Sequence, residues 1–132
     1  MKKIKIGIAG CLGRMGKELI QRINSNPNVV FIGGYEHHKN PNIGKPFAKI
    51  LGVNSKYNVE SSHKKVFERA EVIIDFSHPS ATIKNITSAL EHRTPLIIGT
   101  TGLSDKICNL ITKSSKKVPI LQSYNMSVGV NL

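Results

Sequence analysis

The sequence of 132 residues has no tryptophan, only two cysteines and no long apolar segment, and these shortages exclude several classes of protein. Cys11 and Cys108 have neither CxxC spacing nor the density of a disulfide-stapled secreted domain, so we expect a reducing cytoplasm. The longest apolar runs, such as 29–32, fall far short of the roughly 18 residues that a membrane-spanning helix needs. At the N-terminus, lysine alternates with isoleucine, which favours a strand over a signal peptide.

Acidic residues are also scarce: eight Asp and Glu face 19 Lys and Arg, which gives a formal charge of +11 with neutral histidines. Such a charge attracts nucleic acid at low salt. However, a nucleic-acid surface needs clustered cations interleaved with aromatic side chains. The lysines are spread through every segment, with short clusters only at 64–65 and 116–117, and aromatic residues make up 5%. We therefore expect a solvated basic surface, with a basic nucleic-acid adaptor as an alternative that predicts steeply salt-dependent binding.

Strand-like and helix-like segments alternate along the chain. Apolar and β-branched runs predict strands at 3–9, 29–35, 72–76, 96–98 and 118–122. Apolar residues at helical spacing predict helices at 14–25, 61–69, 79–90 and 103–111, whereas the Asn-, Gly- and Pro-rich segment 36–57 predicts an irregular stretch. This order predicts one α/β domain, a Rossmann-like doubly wound parallel sheet with helices on both faces and ligands at the carboxyl ends of the strands. The run at 72–74 suits a strand buried on both faces.

A glycine motif follows the first predicted strand and opens the first predicted helix. It reads Gly10-Cys11-Leu12-Gly13-Arg14-Met15-Gly16, a GxxGxxG pattern. Glycines there allow a tight turn, close approach of backbone N–H groups to a pyrophosphate, and packing of helix against strand. Glu36 follows Gly16 by 20 residues, at the end of the second predicted strand, where a carboxylate can accept hydrogen bonds from both ribose hydroxyls of an adenosine. The pattern predicts a dinucleotide site; the alternative is a turn whose glycines serve packing only, with Glu36 solvated.

Other chemistry-bearing residues give weaker signals. The pair His37-His38 has no clear third ligand, so we expect a solvated loop and no metal site. Cys11 lies near a helix N-terminus, which could lower its thiol pKa, but we favour a small residue tolerated between glycines. Asp75 is expected to brace the following loop and not to act as a base. The remaining histidines are expected on the surface or at helix ends: His63, His78 and His92.

Four segments, in this order and at this separation, carry a resemblance to a known family: Ile8-Ala9-Gly10-Cys11-Leu12-Gly13-Arg14-Met15-Gly16, Ile74-Asp75-Phe76-Ser77, Ile98-Gly99-Thr100-Thr101-Gly102 and Asn125-Met126-Ser127-Val128-Gly129-Val130-Asn131. They resemble 4-hydroxy-tetrahydrodipicolinate reductase (dihydrodipicolinate reductase), the nicotinamide-dependent enzyme of the diaminopimelate route to lysine. The resemblance covers only the first of the family's two domains. It implies a dinucleotide-binding domain over 1–124 and, over 125–132, the hinge that starts a missing substrate and tetramerisation domain. The apolar, uncharged segment 123–132 suits a chain that is cut or continued elsewhere.

The resemblance implies cofactor-binding residues position by position. The backbone of the loop would cradle the pyrophosphate, with Arg14 at its rim, and this loop comprises Gly10, Cys11, Leu12, Gly13, Arg14 and Met15. Glu36 would hold the adenosine ribose. His37 takes the place where some relatives have an arginine that meets the 2′-phosphate of NADPH. The nicotinamide end would meet Phe76, Ser77, Gly99, Thr100, Thr101 and the hinge residues Ser123, Tyr124, Asn125 and Met126, the last of which replaces a phenylalanine of many relatives.

The same residues bear on the choice between NADH and NADPH. The Glu36 carboxylate would repel a 2′-phosphate, whereas His37, His38 and Lys39 would offset that repulsion if the imidazoles gain protons. We therefore expect either cofactor to bind, with NADH preferred.

The resemblance implies the cofactor half of a reductase that transfers hydride from NAD(P)H to an unsaturated cyclic dicarboxylate. In the family, the second domain donates the proton and binds the carboxylates, so we expect no catalytic residue here and cofactor binding without turnover. The substrate would bind through the missing domain, the intact protein would be a homotetramer, and neither nucleic acid nor membrane would be a partner. The alternative is a stand-alone dinucleotide-binding sensor module in which residues after Tyr124 dock a partner.

Overall fold

A computed structural model describes residues 2–123, which form five strands and five helices. The strands are β1 (Ile4–Ala9), β2 (Val29–Tyr35), β3 (Val72–Asp75), β4 (Leu96–Ile98) and β5 (Ile120–Gln122). The helices are α1 (Arg14–Asn24), α2 (Phe47–Leu51), α3 (His63–Arg69), α4 (Pro79–His92) and α5 (Asp105–Ser114). No helix within this described part of the chain is both long and apolar enough to span a bilayer.

The five strands form one sheet in the order β2-β1-β3-β4-β5, and every neighbouring pair is parallel. The chain leaves β1 for β2 on one side and then returns to β3 on the other side. Ligands of doubly wound sheets bind at the carboxyl ends of the strands where the order reverses in this way. The predicted parallel sheet is confirmed, and the strand order puts this position between β1 and β3.

Helices cover both faces of the sheet, as predicted. Ile6 and Ile8 of β1 pack on the face that carries α1 and α2, together with Ile20 and Phe47. On the opposite face, α3, α4 and α5 pack against the sheet through a second cluster: Val66, Phe67, Ile73, Ile86, Ala89, Leu96, Ile98, Ile107 and Ile111. Gly7 lies under α3, where a Cβ would come within 2.6 Å of Val66 Cγ1, so this position accepts no side chain.

The coverage of the two faces is unequal, and this corrects the expectation for β3. Ile74, Ile97 and Leu121 stand side by side in register on the α1 face, across β3, β4 and β5. Among the described residues, α1 packs mainly against β1 and β2; Ile74 of β3 lies at the margin of that cluster, and Ile97 and Leu121 are not part of it. Ile74 and Ile97 are therefore half-buried, and Leu121 keeps 62% of its surface exposed. Only the other face of β3, where Ile73 lies, is fully buried.

The predicted elements agree with the structure to within three residues at each end, and the largest shift is at α5, which ends at Ser114 and not at 111. Two further features were not predicted. The segment expected to be irregular contains the one-turn helix α2. Phe47 is buried in the core, and Gly52, which follows the helix in a left-handed conformation, ends it. Helix α4 begins at Pro79 as expected, but its N-cap is His78, whose Nδ1 accepts from the Ser80 amide at 3.2 Å. Periodicity misses α2 because five residues are too few to show a helical repeat.

The unequal coverage of the two sheet faces should give two leucine substitutions very different effects on the free energy of unfolding. Leu96→Ala removes a side chain that is 1% exposed and should cost about 2–5 kcal/mol of unfolding free energy. Leu121→Ala removes one that is 62% exposed and should change this free energy by less than about 0.5 kcal/mol. Urea unfolding at constant m-value measures both; equal losses would contradict the one-sided packing of β4 and β5.

Candidate functional site

The glycine motif forms a tight turn between β1 and α1. Gly10 has a φ of +74°, and a Cβ there would overlap the Phe76 carbonyl oxygen, so only glycine fits. A Cβ at Gly16 would overlap the Gly10 carbonyl oxygen, because α1 packs directly on the turn. Gly13 differs: the nearest atoms to its Cβ would be the carbonyl oxygens of Gly10 at 3.5 Å and Phe76 at 4.0 Å. A Cβ at Gly13 would therefore make ordinary van der Waals contact and no steric conflict, so packing does not require a glycine there.

Backbone N–H groups of the turn are mostly paired within the protein. Gly10 N and Cys11 N donate to Tyr35 O at 3.1 and 3.3 Å, and Gly13 N donates to Gly10 O at 3.2 Å. Gly13 is the N-cap of α1 and supplies no capping side chain, and the first turn of the helix contains no acidic residue. The N–H groups at the start of α1, at Arg14 and Met15, are thus the ones that an anion can reach.

Glu36 joins the end of β2 to this turn. Its Oε2 accepts a hydrogen bond from Leu12 N at 2.8 Å, and its Oε1 accepts from His37 N at 3.3 Å. The side chain is half-buried and lies beside the glycine turn, as the spacing predicts. A carboxylate that accepts charge-assisted hydrogen bonds is held in one orientation, so Glu36 presents a fixed negative charge at the edge of the turn.

A groove of about 530 Å³ runs along the carboxyl ends of β1, β2 and β3. It brings together six of the predicted site residues: Gly10, Gly13, Glu36, His37, Phe76 and Ser77. Of the other nine, His38 was expected near a 2′-phosphate, and sequence reasoning missed eight: Tyr35, Ser61, His63, His78, Ser80, Ala81, Lys84 and Asn85. The sequence contained a signal for three of these residues. Ala81, Lys84 and Asn85 have i, i+3, i+4 spacing, which puts them on one face of the helix that follows β3, where the strand order reverses.

The buried carboxylate of Asp75 organises the loops after β3 and β4. Its Oδ1 accepts hydrogen bonds from Ser77 N at 2.9 Å, from Ser77 Oγ, and from Thr100 Oγ1 at 3.2 Å. Its Oδ2 accepts from Thr82 Oγ1 at 2.8 Å. Asp75 therefore braces its neighbours, as expected, and these bonds compensate the loss of water around its charge.

The residues expected around a nicotinamide lie next to the groove, beyond Phe76. A Cβ at Gly99 would overlap the Phe76 ring, so that glycine sets how closely β4 approaches the aromatic side chain. Thr100 is buried, with its hydroxyl bonded to Asp75 and accepting from Ser77 N at 3.0 Å, whereas Thr101 is exposed. Ser123 N donates to Ile98 O at 2.9 Å. The other hinge residues lie outside the described residues: Tyr124, Asn125 and Met126.

Cys11 behaves as a small apolar residue. It is fully buried, and a Cβ at Gly34 would lie 2.6 Å from Cys11 Cβ, so the thiol fits tightly between β1 and β2. Burial, and next the nearby Glu36 charge, raise the pKa of this thiol far above its ordinary value. The idea that the helix N-terminus lowers its pKa is wrong, because desolvation outweighs the dipole at this depth.

Each histidine at or near the site has its own local contacts. His37 and His38 stack with ring centroids 4.3 Å apart, and His37 Nδ1 accepts from Lys39 N at 3.2 Å. No cluster of three or more potential metal ligands occurs between residues 2 and 123. His78 caps α4, and His92 Nδ1 lies 2.9 Å from Ser88 O in the last turn of that helix, so both occupy helix ends as expected.

Comparisons with known proteins agree with this geometry. The family described as "Dihydrodipicolinate reductase, N-terminus" matches residues 4–126. The chain belongs to this family. It is 42% identical over 132 residues to the 4-hydroxy-tetrahydrodipicolinate reductase of Pelagibacter ubique and 36% identical to that of Laribacter hongkongensis, covering all of this chain and 47% and 49% of those proteins. The chain thus spans about half the length of these curated relatives.

A solved structure shares the fold. The dipicolinate-bound dihydrodipicolinate reductase from Paenisporosarcina sp. TG-14 matches with a TM-score of 0.73 at 19% identity, over 97% of this chain and 49% of that one. The likeness confirms the Rossmann-like architecture.

The two cysteines should differ sharply in reactivity. At pH 8, iodoacetamide should modify the half-buried Cys108 readily and leave Cys11 unmodified in the folded chain, since only an accessible thiolate reacts. Mass spectrometry with and without urea measures this, with Cys108→Ser as the matched control. Rapid modification of Cys11 without urea would contradict its burial.

Proposed function

We propose that this chain binds NADH or NADPH as the cofactor-binding part of a dihydrodipicolinate reductase. The observation that carries the proposal is the 2.8 Å hydrogen bond from Leu12 N to Glu36 Oε2, which joins the glycine turn and the acidic residue in one groove. An isolated glycine turn would serve packing alone. A turn whose second glycine, Gly13, is not required by packing, next to a fixed carboxylate where the strand order reverses between β1 and β3, suits a dinucleotide.

The residues present fit such a cofactor at its adenosine and phosphate parts. The N–H groups of Arg14 and Met15 at the N-terminus of α1 would bind the pyrophosphate, and Gly13, which lines the groove without a side chain, would let it approach. Glu36 would accept hydrogen bonds from the ribose hydroxyls. The resemblance implies that the backbone of the whole loop cradles the pyrophosphate. We propose a smaller set of N–H donors, because those of Gly10, Cys11 and Gly13 already donate to protein carbonyls.

The proposal includes a preference for NADH. The Glu36 carboxylate stands where a 2′-phosphate would approach, and its hydrogen bond to the Leu12 amide fixes that charge in place. His37, His38 and Lys39 are exposed nearby and would reduce the repulsion only in part, because water screens exposed charges.

For the nicotinamide end, we propose the edge formed by Phe76, Ser77 and the segment 99–101, together with 123–126. The Thr100 hydroxyl is already bonded to Asp75, so orientation of the carboxamide would fall to Thr101 and to backbone groups. When bound, the reduced nicotinamide supplies the hydride, and the protein holds its ring in position.

The reaction of the whole protein is also proposed: reduction of the unsaturated cyclic dicarboxylate of the diaminopimelate route, in a cytoplasmic homotetramer. The curated relatives are about twice as long as this chain. We propose that the further length of such proteins supplies the proton donor, the groups that bind two carboxylates, and the contacts of the tetramer.

The binding site is tested by calorimetric titration of the chain with NADH and NADPH at two salt concentrations. We expect saturable binding of both, with NADH tighter, and a loss of about 10-fold in NADH affinity for Glu36→Ala, which removes the hydrogen bonds to the ribose. Glu91→Gln, which removes an exposed acidic charge outside the groove, serves as the matched control.

A second variant in the same titration separates binding from folding. Gly13→Ala adds a methyl group in ordinary van der Waals contact, so the melting temperature should stay within a few degrees while cofactor affinity falls. If the folded wild-type chain binds neither cofactor, or if Glu36→Ala and Gly13→Ala bind as tightly as wild type, the proposed site is wrong.

We further expect the chain alone to bind cofactor without turning over substrate. The curated relatives are about twice as long as this chain, and we propose that the proton donor and the groups that bind two carboxylates lie in that further length. The check is NADH oxidation at saturating substrate, measured against a no-enzyme control and a full-length relative. Turnover well above the no-enzyme rate would contradict this expectation.

A further inference from the structure

A buried polar pair connects the two sides of the groove. Tyr35, the last residue of β2, donates a hydrogen bond from its hydroxyl to Asn85 Oδ1 on α4, with a donor–acceptor distance of 2.6 Å. Tyr35 is 8% exposed and Asn85 is 2% exposed, yet both line the groove. The bond therefore joins two elements that are 50 residues apart in the sequence.

The amide of Asn85 is only half satisfied. Its Nδ2 is buried and has no hydrogen-bond partner in the part of the chain that the structure describes. A primary amide carries two donors, and leaving a buried donor unpaired costs about 1–3 kcal/mol. The hydrogen bond from Tyr35 accounts for Oδ1, but no contact among the described residues accounts for the two donors of Nδ2.

Tyr35 determines which end of the amide stays free. Burial, and next the nearby Asp75 charge, raise the pKa of the Tyr35 hydroxyl well above its ordinary value, so it remains a donor over the physiological range. The hydroxyl proton of Tyr35 has Asn85 Oδ1 as its acceptor, so Nδ2 is the end of the amide that remains for a ligand.

The elements that line the groove indicate which part of the ligand would be near Asn85. Gly10 and Gly13 line it at the glycine turn, Glu36 lines it at the end of β2, and Asn85 lines it from α4, bonded to Tyr35 of β2. In an adenine dinucleotide, the ribose lies between the pyrophosphate and the base, so with the pyrophosphate at the turn and the ribose at Glu36, the α4 side of the groove remains for the base. Adenine carries the hydrogen-bond acceptors N1, N3 and N7, which match a free N–H donor.

We propose that the Asn85 side-chain amide donates a hydrogen bond to a ring-nitrogen acceptor of the cofactor's purine base, and that Tyr35 is the positioning residue that orients this amide. The inference rests on the proposed function, because it assumes that Glu36 holds the ribose. It assigns to this chain a contact that selects for the base itself, separate from the contacts to the phosphates and the ribose.

The test compares two probes that share the phosphate site. ADP carries the base and inorganic pyrophosphate does not, and nuclear magnetic resonance titration of the 132-residue chain measures the affinity of each. We expect Asn85→Leu to weaken ADP and NADH binding about 5- to 10-fold, as the loss of one hydrogen bond of about 1–1.5 kcal/mol would do, and to leave pyrophosphate binding unchanged. Bound ADP, but not pyrophosphate, should also shift the Asn85 side-chain amide resonances of the wild type.

Two further variants protect the test against a folding defect. Tyr35→Phe/Asn85→Leu removes both polar groups and leaves no unpaired partner, so it should keep the wild-type melting temperature and still lose the base-dependent affinity. Ser88→Ala, a buried polar residue one turn further along α4 and outside the groove, should bind both probes as wild type does.

Each outcome decides the inference. If wild type and the double variant bind ADP equally, or if ADP and pyrophosphate weaken together, the pair serves only to join β2 to α4 and the inference is wrong, although the dinucleotide site stands. If the folded wild type binds neither NADH nor ADP, the proposed function and the inference both fail.

Discussion

The arrangement of the site depends on one buried carboxylate, that of Asp75. It accepts hydrogen bonds from the backbone and hydroxyl of Ser77, from Thr82 at the start of α4 and from Thr100 after β4. A buried charge is tolerated only when its hydrogen bonds are satisfied, so these three segments must converge on Asp75 for the sheet to form. Their convergence fixes the Phe76 carbonyl against Gly10, which leaves the turn after β1 no room for a side chain. The shape of the turn is therefore a consequence of the packing after β3 as much as of its own glycines.

The electrostatics of the groove follow from a second constraint: only some backbone N–H groups of the glycine turn have hydrogen-bond partners within the protein. Internal carbonyls and Glu36 use the first N–H groups, so the positive end of α1 is exposed through Arg14 and Met15. Glu36 is the only acidic residue among those that line the groove, in a chain with a formal charge of +11. One fixed negative charge in a basic protein favours a ligand that carries hydroxyl donors at that point and negative charge elsewhere. A sugar joined to a pyrophosphate has this distribution.

Local patterns were sufficient to predict the parallel sheet, the glycine turn and the position of Glu36, because each follows from spacing within about 30 residues. The limits were equally physical. Helix α2 is too short for a hydrophobic repeat. Tyr35 was correctly predicted as a strand residue, but its place in the groove was missed because its partner Asn85 is 50 residues away. The pKa of Cys11 was uncertain because the helix dipole and burial act in opposite directions, and only the depth of the thiol decides between them. Contacts across the groove require the strand order, which no local pattern contains.

The unequal packing of the sheet distinguishes the two halves of the site. The half proposed for the adenosine lies on β1 and β2, which are six and seven residues long and are covered on both faces toward their carboxyl ends. The half assigned to the nicotinamide lies at β4 and β5, each of three residues, where Ile97 and Leu121 receive little cover on one face. Side-chain packing therefore stabilises β4 and β5 less than it stabilises β1 and β2. The bond between Thr100 and Asp75 compensates by fixing the end of β4 to the better-packed β3, so the position of the second half depends on a single carboxylate that already organises the first.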